Sequence, residues 1–147
     1  MKLSTRARYG TRALLDIALH GEKGPVLLKD IARRQQISLL YLEHIMAPLI
    51  VGGIVRSTRG PRGGVSLTRP PDGIRLGEVI QLLEGSIAPV DCVNNPDACN
   101  RSELCVTRDI WEELKKAMNQ ILESTTLQDL AERQEKKGQP KEVMYYI

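Results

Sequence analysis

The sequence predicts a mainly α-helical protein that carries one small β-hairpin. Apolar residues recur at helical spacing along most of the chain, and two short β-prone runs flank a glycine-rich link. Aromatic residues make up 3% of the 147 residues and Phe is absent, so we expect an aliphatic core. This length fits one domain, or a small domain with an appended element.

The first helix is predicted over residues 4–20. Ser4 or Thr5 can cap its start, because a side-chain oxygen there accepts a hydrogen bond from the first turn. The glycines and the proline in residues 20–25 end it. Its buried stripe is expected to contain Tyr9 or Gly10, followed by Ala13, Leu14, Ile17 and Ala18.

Two shorter helices are predicted next, over residues 29–36 and 39–51. Ser38 is a good N-cap for the second of them, and two glycines follow its last residue. Pro48 inside this helix either bends it or shortens it. Two short helices joined by a tight connection are typical of a helix-turn-helix motif.

A β-hairpin is predicted after these helices, with strands over residues 54–58 and 65–68. The link between the strands reads Arg59-Gly60-Pro61-Arg62-Gly63-Gly64, which is basic and rich in glycine. A basic hairpin that follows a helix-turn-helix indicates the wing of a winged helix-turn-helix. We therefore predict a winged helix-turn-helix DNA-binding domain over residues 1–75.

The second half of the chain has three further helical patterns, separated by a cysteine-rich loop. A connecting helix over residues 76–83 and the loop form a predicted middle part, 76–106, and the remaining part is 107–147. Thr125 or Thr126 can cap the last helix, and the polar chain from Gln134 onward is expected to fray.

A long helix is predicted over residues 103–124, and it carries one apolar stripe. Ser102 could cap this helix, which would place Cys105 in its first turn. We expect this helix to pack against a second copy of the chain, with Trp111 adding buried area. The alternative is that it folds back on its own domain. The stripe contains Ile110, Leu114, Ala117 or Met118, and Ile121.

Charge is unevenly distributed along the chain. Residues 1–75 contain thirteen Lys and Arg against five Asp and Glu, a net charge of +8, whereas residues 76–147 carry −5. A basic half of this kind is expected of a nucleic-acid surface. The alternative is a solvated basic face without a partner.

The second helix of a helix-turn-helix lies in the major groove and meets base edges with its N-terminal residues. Glu43 is unusual there, because phosphates repel a carboxylate unless cytosine N4 donates to it. It is either a residue that rejects sequences without such a donor, or an ordinary exposed side chain. The other candidate contacts of this helix are Ser38, Leu39, Leu40, Tyr41 and His44, of which Leu39 or Leu40 could instead be core.

Arginines outside this helix are further candidates for DNA contact. Arg59 and Arg62 lie at the wing tip, where Gly60 and its neighbouring glycines let the backbone approach DNA and an arginine can enter a narrow minor groove. The remaining candidates are expected to contact phosphates, which set position rather than sequence. They are Arg6, Arg8, Arg33 and Arg56.

The chain has three cysteines, Cys92, Cys99 and Cys105, all in or beside one polar loop. In the cytoplasm, where thiols stay reduced, such a cluster indicates metal binding or redox chemistry. Spacings of six and five residues lack the Cys-x2-Cys pair of a zinc ribbon and suit an iron–sulfur cluster, although a thiol switch also fits. Asp109, Thr107, Asp91, Glu103 and a group from a second chain remain open as a fourth ligand.

Four motifs together resemble one known family. Residues 1–10 read MKLSTRARYG, residues 37–43 read ISLLYLE, residues 59–64 read RGPRGG and residues 76–80 read LGEVI. In order and spacing they are similar to the iron–sulfur cluster regulator (IscR) family, over residues 1 to about 133.

The resemblance implies a dimeric winged helix-turn-helix repressor or activator with a 2Fe-2S cluster on Cys92, Cys99 and Cys105. It implies that cluster occupancy controls cluster-assembly genes, and it connects Glu43 with the choice between two classes of DNA site. Relatives that sense nitric oxide, iron or cysteine supply share the DNA-binding domain. The family pattern has a histidine ligand three residues after the third cysteine, where this chain has Arg108.

Other classes of protein find little support in the sequence. No Cys-x-x-Cys pair, nucleotide loop or general base accompanies the cysteines, so we do not expect an enzyme. No run of about 18 apolar residues exists, so we expect no membrane span. The N-terminus lacks the apolar segment of a secretion signal, so we expect a cytoplasmic protein.

Overall fold

The computed structural model describes residues 2–138. Within this range the chain is mainly α-helical with one two-stranded hairpin, as the sequence predicts. The elements in chain order are α1 (Thr5–His20), α2 (Leu28–Gln35), α3 (Leu39–Val51), β1 (Val55–Thr58), β2 (Gly64–Leu67), α4 (Leu76–Glu84), α5 (Asp91–Asn94), α6 (Val106–Ser124) and α7 (Leu127–Gly138).

Helix α1 lies at the centre of the fold and begins as predicted. The Ser4 side chain caps it by accepting a hydrogen bond from the Ala7 amide at 3.1 Å. Gly10 is buried in the core, where a Cβ would overlap the Leu83 side chain and lie 3.1 Å from Ile45, whereas Tyr9 is half-buried and packs against the edge of the core. This close approach lets α1 pack directly on α3 and α4.

Helices α2 and α3 form the helix-turn-helix. Helix α2 ends at Gln35, one residue earlier than predicted, because Gln36 adopts the left-handed region with φ of 56°. Ser38 caps α3 as predicted, and its side chain accepts from the Tyr41 amide at 3.2 Å. Pro48 does not shorten α3, which continues to Val51.

The extended backbone at Val26 pairs with β2 and joins the hairpin to the rest of the fold. Strands β1 and β2 pair antiparallel, with Val55 opposite Leu67, and each strand lies within one residue of its predicted bounds. The Val26 and Val65 backbones exchange hydrogen bonds of 2.9 and 2.8 Å. Val65 is buried, so the base of the hairpin is fixed in the aliphatic core.

The last helix, α7, packs against α1. Thr126 caps α7, and its hydroxyl accepts from the Asp129 amide while the Asp129 carboxylate accepts from the Thr126 amide. Leu127 is fully buried in the same core as α1. The prediction of fraying from Gln134 is wrong as far as Gly138, because Arg, Gln, Glu and Lys are strong helix formers. Residues 139–147 lie outside the described part.

Helix α6 differs from its prediction at the N-terminus. It begins at Val106, and Cys105 is its N-cap residue, so Cys105 does not lie in the first turn and Ser102 is not the cap. The Ser102 hydroxyl is instead buried and donates within the cysteine loop, to the carbonyls of Pro96 at 2.6 Å and Cys99 at 3.0 Å. No residue of α6 is buried, although the helix lies against α4.

Candidate nucleic-acid interface and cysteine segment

The N-terminal half of α3 presents side chains to solvent. Leu39 and Leu40 are 44% and 67% exposed, so neither belongs to the core. Apolar side chains this exposed at the start of a recognition helix are suited to contact thymine methyl groups. Glu43 and His44 are also exposed, one turn further along the same helix.

Tyr41 lies where α3 meets α1. Its ring packs edge-on against Tyr9, with ring centres 6.1 Å apart. The guanidinium groups of Arg8 and Arg12 lie 6.0 and 5.2 Å from the Tyr9 ring centre. Arg12 also donates to the backbone carbonyl and side chain of Gln35. The structure thus joins predicted contact residues from two helices into one basic aromatic surface.

Tyr9 and Arg12 were not predicted as members of this surface. The sequence pattern assigned Tyr9 or Gly10 to the core, and Arg12 was not among the predicted DNA contacts. Residues 8, 9 and 12 lie within about one helical turn, and that spacing of two arginines around a tyrosine was the available signal. Arg6 is exposed on the same first turns of α1.

The wing arginines Arg56, Arg59 and Arg62 are exposed on the hairpin. Two glycines of the wing tip, Gly60 and Gly63, have different structural roles. Gly60 has a φ of 104° and open space around it, which leaves room for a close backbone approach to DNA. A Cβ at Gly63 would overlap the Thr58 carbonyl oxygen, so that glycine is required by the hairpin itself.

A buried carboxylate connects α1 with the helix-turn-helix. Asp16 is fully buried and accepts from Arg34 Nε at 2.9 Å and from Gln35 Nε2 at 3.0 Å. Burial raises the pKa of Asp16, but the hydrogen bonds from Arg34 and Gln35 outweigh it, so this pKa lies below its ordinary value. Asp16 is therefore ionised and fixes the end of α2, just before α3 begins.

The cysteine segment, residues 91–105, is more exposed than residues 2–75. Cys92 and Cys105 are half-buried and Cys99 is exposed, and all three are free thiols. Helix α5 carries Cys92, and a 3-10 turn at Pro96–Ala98 precedes Cys99. The segment predicted as a loop thus contains two short helical turns.

Cys105 lies at the N-terminus of α6 with its Sγ 3.1 Å from the Thr107 hydroxyl. The hydrogen bond from Thr107 and, second, that from the Arg108 amide lower the pKa of Cys105 below that of an ordinary thiol. A thiol with a lowered pKa is a better nucleophile and a better metal ligand at neutral pH.

Arg108 stands at the position of the histidine in the family pattern, and it holds the segment onto α6. Its Nε donates to the Cys92 carbonyl at 3.1 Å, and its guanidinium pairs with Glu112 at 3.1 Å. Arg108 is a cation with no free acceptor, so it cannot ligate iron. Asp109 is exposed on the next position of α6.

Three thiols are the soft donors that an iron–sulfur cluster takes, so the chemistry of the donor set fits. The positions of the three thiols, in contrast, do not form a ligand group. Within residues 2–138, no three of the His, Cys, Asp and Glu side chains lie close enough together to hold a metal ion. A cluster would require the segment to close around it, and its fourth ligand stays a prediction.

Comparison with known proteins gives this architecture a family. The family described as "Rrf2: Iron-dependent Transcriptional regulator" matches residues 3–133. The chain belongs to the Rrf2 family. "Protein rrf2" of Nitratidesulfovibrio vulgaris is 48% identical over 130 residues, which cover 88% of this chain and 87% of that protein.

Two solved structures of Rrf2 regulators show the same fold. The IscR of T. potens is 39% identical with a TM-score of 0.80, over 99% of this chain and 97% of that one. CymR of B. subtilis, titled the global cysteine regulator, is 37% identical with a TM-score of 0.77, over 90% and 98%. Regulators with this winged helix-turn-helix bind DNA and are typically dimers.

The Rrf2 assignment makes this chain a transcriptional regulator, and its relatives IscR and CymR are named as HTH-type transcriptional regulators. IscR and CymR, both named as HTH-type transcriptional regulators, resemble it to a similar degree. Across the part of the chain that the structure describes, none of the helices is both long and apolar enough to cross a membrane.

Proposed function

We propose that this chain is a homodimeric, DNA-binding transcription regulator that senses iron–sulfur cluster supply and controls cluster-assembly genes. The observation that carries the proposal is the pairing of two features in one chain. An exposed basic winged-helix surface is suited to DNA, and three accessible free thiols lie in a separate segment. The family description as iron-dependent supports the same effector class.

DNA is read by two kinds of contact in this proposal. Base edges meet Ser38, Leu39, Leu40, Tyr41, Glu43 and His44 on α3, and the minor groove meets Arg59, Gly60 and Arg62 on the wing. Phosphates are neutralised by arginines that include Arg6, Arg8 and Arg56. Because each phosphate contact releases counterions, affinity falls steeply as salt concentration rises.

A 2Fe-2S cluster is the proposed cofactor, held by Cys92, Cys99 and Cys105. When bound, the cluster would supply an occupancy signal rather than a reaction. Arg108 at the histidine position leaves the fourth ligand to Asp109 or to another donor, and a hard or missing ligand makes a cluster labile. Lability suits a sensor, because occupancy then follows supply.

A second copy of the chain is the proposed occupant of the apolar face of α6. Val106, Ile110 and Ile121 are 75%, 54% and 64% exposed on this helix. Trp111 is half-buried beside them. Exposed aliphatic side chains along a 19-residue helix indicate a helix–helix contact between protomers, and a dimer would cover two half-sites of an operator.

A thiol switch without a cluster is the second candidate. The favouring observation is that the three thiols are not gathered into a ligand group, while Cys105 has a lowered pKa. CymR of B. subtilis is described as a cysteine regulator, and one solved structure of CymR from Staphylococcus aureus is of an oxidised form. Here the state of the thiols themselves would bias DNA binding.

The test is anaerobic purification followed by visible absorption and by assays of bound iron and sulfide. The proposal predicts a coloured protein with iron and sulfide in equal amounts. Serine at Cys92, Cys99 and Cys105 removes colour and iron, whereas Asn100→Ser, an exposed control in the same segment, retains both. A colourless, iron-free wild-type protein whose DNA binding responds to oxidant would replace the cluster by the thiol switch.

A further inference from the structure

Glu84 ends α4 and reaches across the fold to the start of α1. Its Oε2 accepts from the Ser4 amide at 3.1 Å and from the Ser4 hydroxyl at 2.5 Å. The Ser4 hydroxyl in turn accepts from the Ala7 amide at 3.1 Å. Both donors of the N-cap residue are therefore committed to one carboxylate, which also carries the charge that a helix N-terminus favours.

The first turn of α1, which follows this contact directly, carries two basic side chains. Arg6 and Arg8 are exposed there and have no acidic neighbour within the turn. Glu84 thus adds a polar contact between the first turn of α1 and α4, and α4 packs on both α1 and α3. Losing Glu84 leaves the Ser4 cap on Ala7 and the apolar packing of α1 on α4, but it removes this contact, so the first turn is held less firmly.

The same corner of the fold is joined to the cysteine segment. Gly85 follows Glu84 with a φ of 76°, which turns the chain at once towards Ser86. The Ser86 hydroxyl accepts from Asn94 Nδ2, and Asn94 Oδ1 accepts from Lys115 Nζ at 2.7 Å. Asn94 is the last residue of α5, two positions after Cys92.

A groove of about 280 Å³ runs along this connection, between the N-terminal residues and α6. Leu3, Glu84, Ser86, Ile87 and Met118 line it. The connection borders open space on this side, and its steps from Glu84 to α5 are the backbone at Gly85 and the hydrogen bond between Ser86 and Asn94.

We infer that Glu84 is a positioning residue for DNA binding, which holds the arginine-bearing first turn of α1 and connects it, through Ser86 and Asn94, to the cysteine segment. The positioning half rests on the proposed DNA contacts of Arg6 and Arg8 and needs no effector. The connecting half rests on the proposed function, because it supposes that the cysteine segment changes with its effector.

The first experiment compares Glu84→Ala with Glu84→Gln. The probe is a labelled duplex that the wild-type protein has enriched from a random-sequence pool, titrated at several salt concentrations. Ala should weaken binding about tenfold and make the logarithmic salt slope shallower by about one unit per lost phosphate contact. Gln should retain wild-type affinity and slope, because its amide oxygen can still accept from Ser4.

The matched control is Glu78→Ala, which removes the same charge from the same helix. The wild-type Glu78 carboxylate pairs with Arg69 at 2.7 Å and does not contact Ser4. Thermal unfolding of each variant shows whether weaker binding comes from loss of the fold or from a displaced first turn of α1 in a folded protein. Glu84→Ala with the affinity and salt slope of Glu78→Ala would overturn the assignment. A Glu84→Gln variant that folds but binds the duplex as weakly as Glu84→Ala would overturn it as well.

The second experiment tests the connection, with Asn94→Ala and Asn95→Ala as control. Asn95 is exposed, and no side-chain hydrogen bond caps the short turn that follows it. In wild type and the control, removing the cluster or oxidising the thiols should change affinity for the selected duplex; in Asn94→Ala that change should shrink, with basal binding retained. An unchanged response in Asn94→Ala overturns the connection. A wild-type protein without any response contradicts the proposed function and leaves the Glu84 result standing.

Discussion

Single polar residues determine how the DNA-reading helix is presented in this protein. Asp16 is the clearest case, because a fully buried carboxylate on α1 binds the side chains of Arg34 and Gln35 at the end of α2. Breaking a buried pair by removing one partner costs more than the pair itself contributes, since a charge remains without its counterion. Arg34 retains some exposure to solvent, which moderates that cost.

Asp16→Ala should lower the free energy of unfolding by about 2–3 kcal/mol at neutral pH. The pKa of Asp16 is lowered in the folded state, so its contribution is present above the unfolded pKa of about 4 and is lost as pH falls through the folded value. Urea unfolding of wild type and variant should therefore converge in acid. Asp30→Ala, whose partner Arg33 is exposed, should cost less than about 1 kcal/mol; equal costs for both variants would contradict this account.

Glu43→Ala should broaden sequence preference rather than weaken binding. Glu43 is exposed on the α3 surface, where a carboxylate is repelled by phosphates and is offset only by a base donor. Removing it should raise affinity for sites that lack such a donor by about tenfold, the scale of one base contact. Titration against a panel of duplexes measures this. An unchanged ranking of sites would show that Glu43 is only an exposed helix residue.

At the scale of elements, the wing depends on glycines that the fold itself requires. Gly64 has a φ of 150°, and a Cβ there would overlap the Val26 carbonyl. Gly64→Ala should therefore lower the free energy of unfolding by about 2–4 kcal/mol, from backbone strain and steric overlap together. Gly73→Ala, where a Cβ has ordinary contact space, should stay within about 0.5 kcal/mol. Equal stability of both variants by urea unfolding would refute the packing argument.

Helix α6 should form the contact between protomers. Ile121→Glu places a charge in its exposed aliphatic stripe and should convert a dimer to a monomer at micromolar concentration, with weaker operator binding. Gln120→Glu adds a charge at the neighbouring exposed position and should remain dimeric. Sedimentation velocity measures both. A dimeric Ile121→Glu protein would place the contact elsewhere.

Element ends were predictable where the cause is local. Ser4 and Ser38 cap their helices as predicted, because the cap bond is made to an amide three residues away. Ser102 looked equally suitable for α6 but turns back to the carbonyls of Pro96 and Cys99 instead. The sequence does not reveal that competition, since both arrangements use residues nearby in the chain.

Contacts between distant residues account for most of what the sequence did not predict. Glu84 and Ser4 are 80 positions apart, and Asp16 and Arg34 are 18 apart. Nothing in the local pattern marks either pair. The choice of Gly10 over Tyr9 for the core likewise depends on how closely α4 approaches α1.

At the scale of the whole molecule, the chain separates a rigid basic reader from an exposed thiol segment. The two are joined through α4 and α6 rather than through a shared core. The winged helix, its basic charge and the cysteine triplet could be read from the sequence. The assembly of three thiols into one ligand group could not, and the described residues do not show it.

The central claim is that the state of the three thiols changes which DNA the protein selects. Its most direct test is parallel selection from one random-sequence pool by the anaerobic wild-type protein and by the variant with serine at Cys92, Cys99 and Cys105. The account predicts two distinguishable classes of enriched sites. The affinity for both classes should fall with salt concentration, because the same phosphate contacts are made in each. Identical enriched sequences with identical affinities would contradict it.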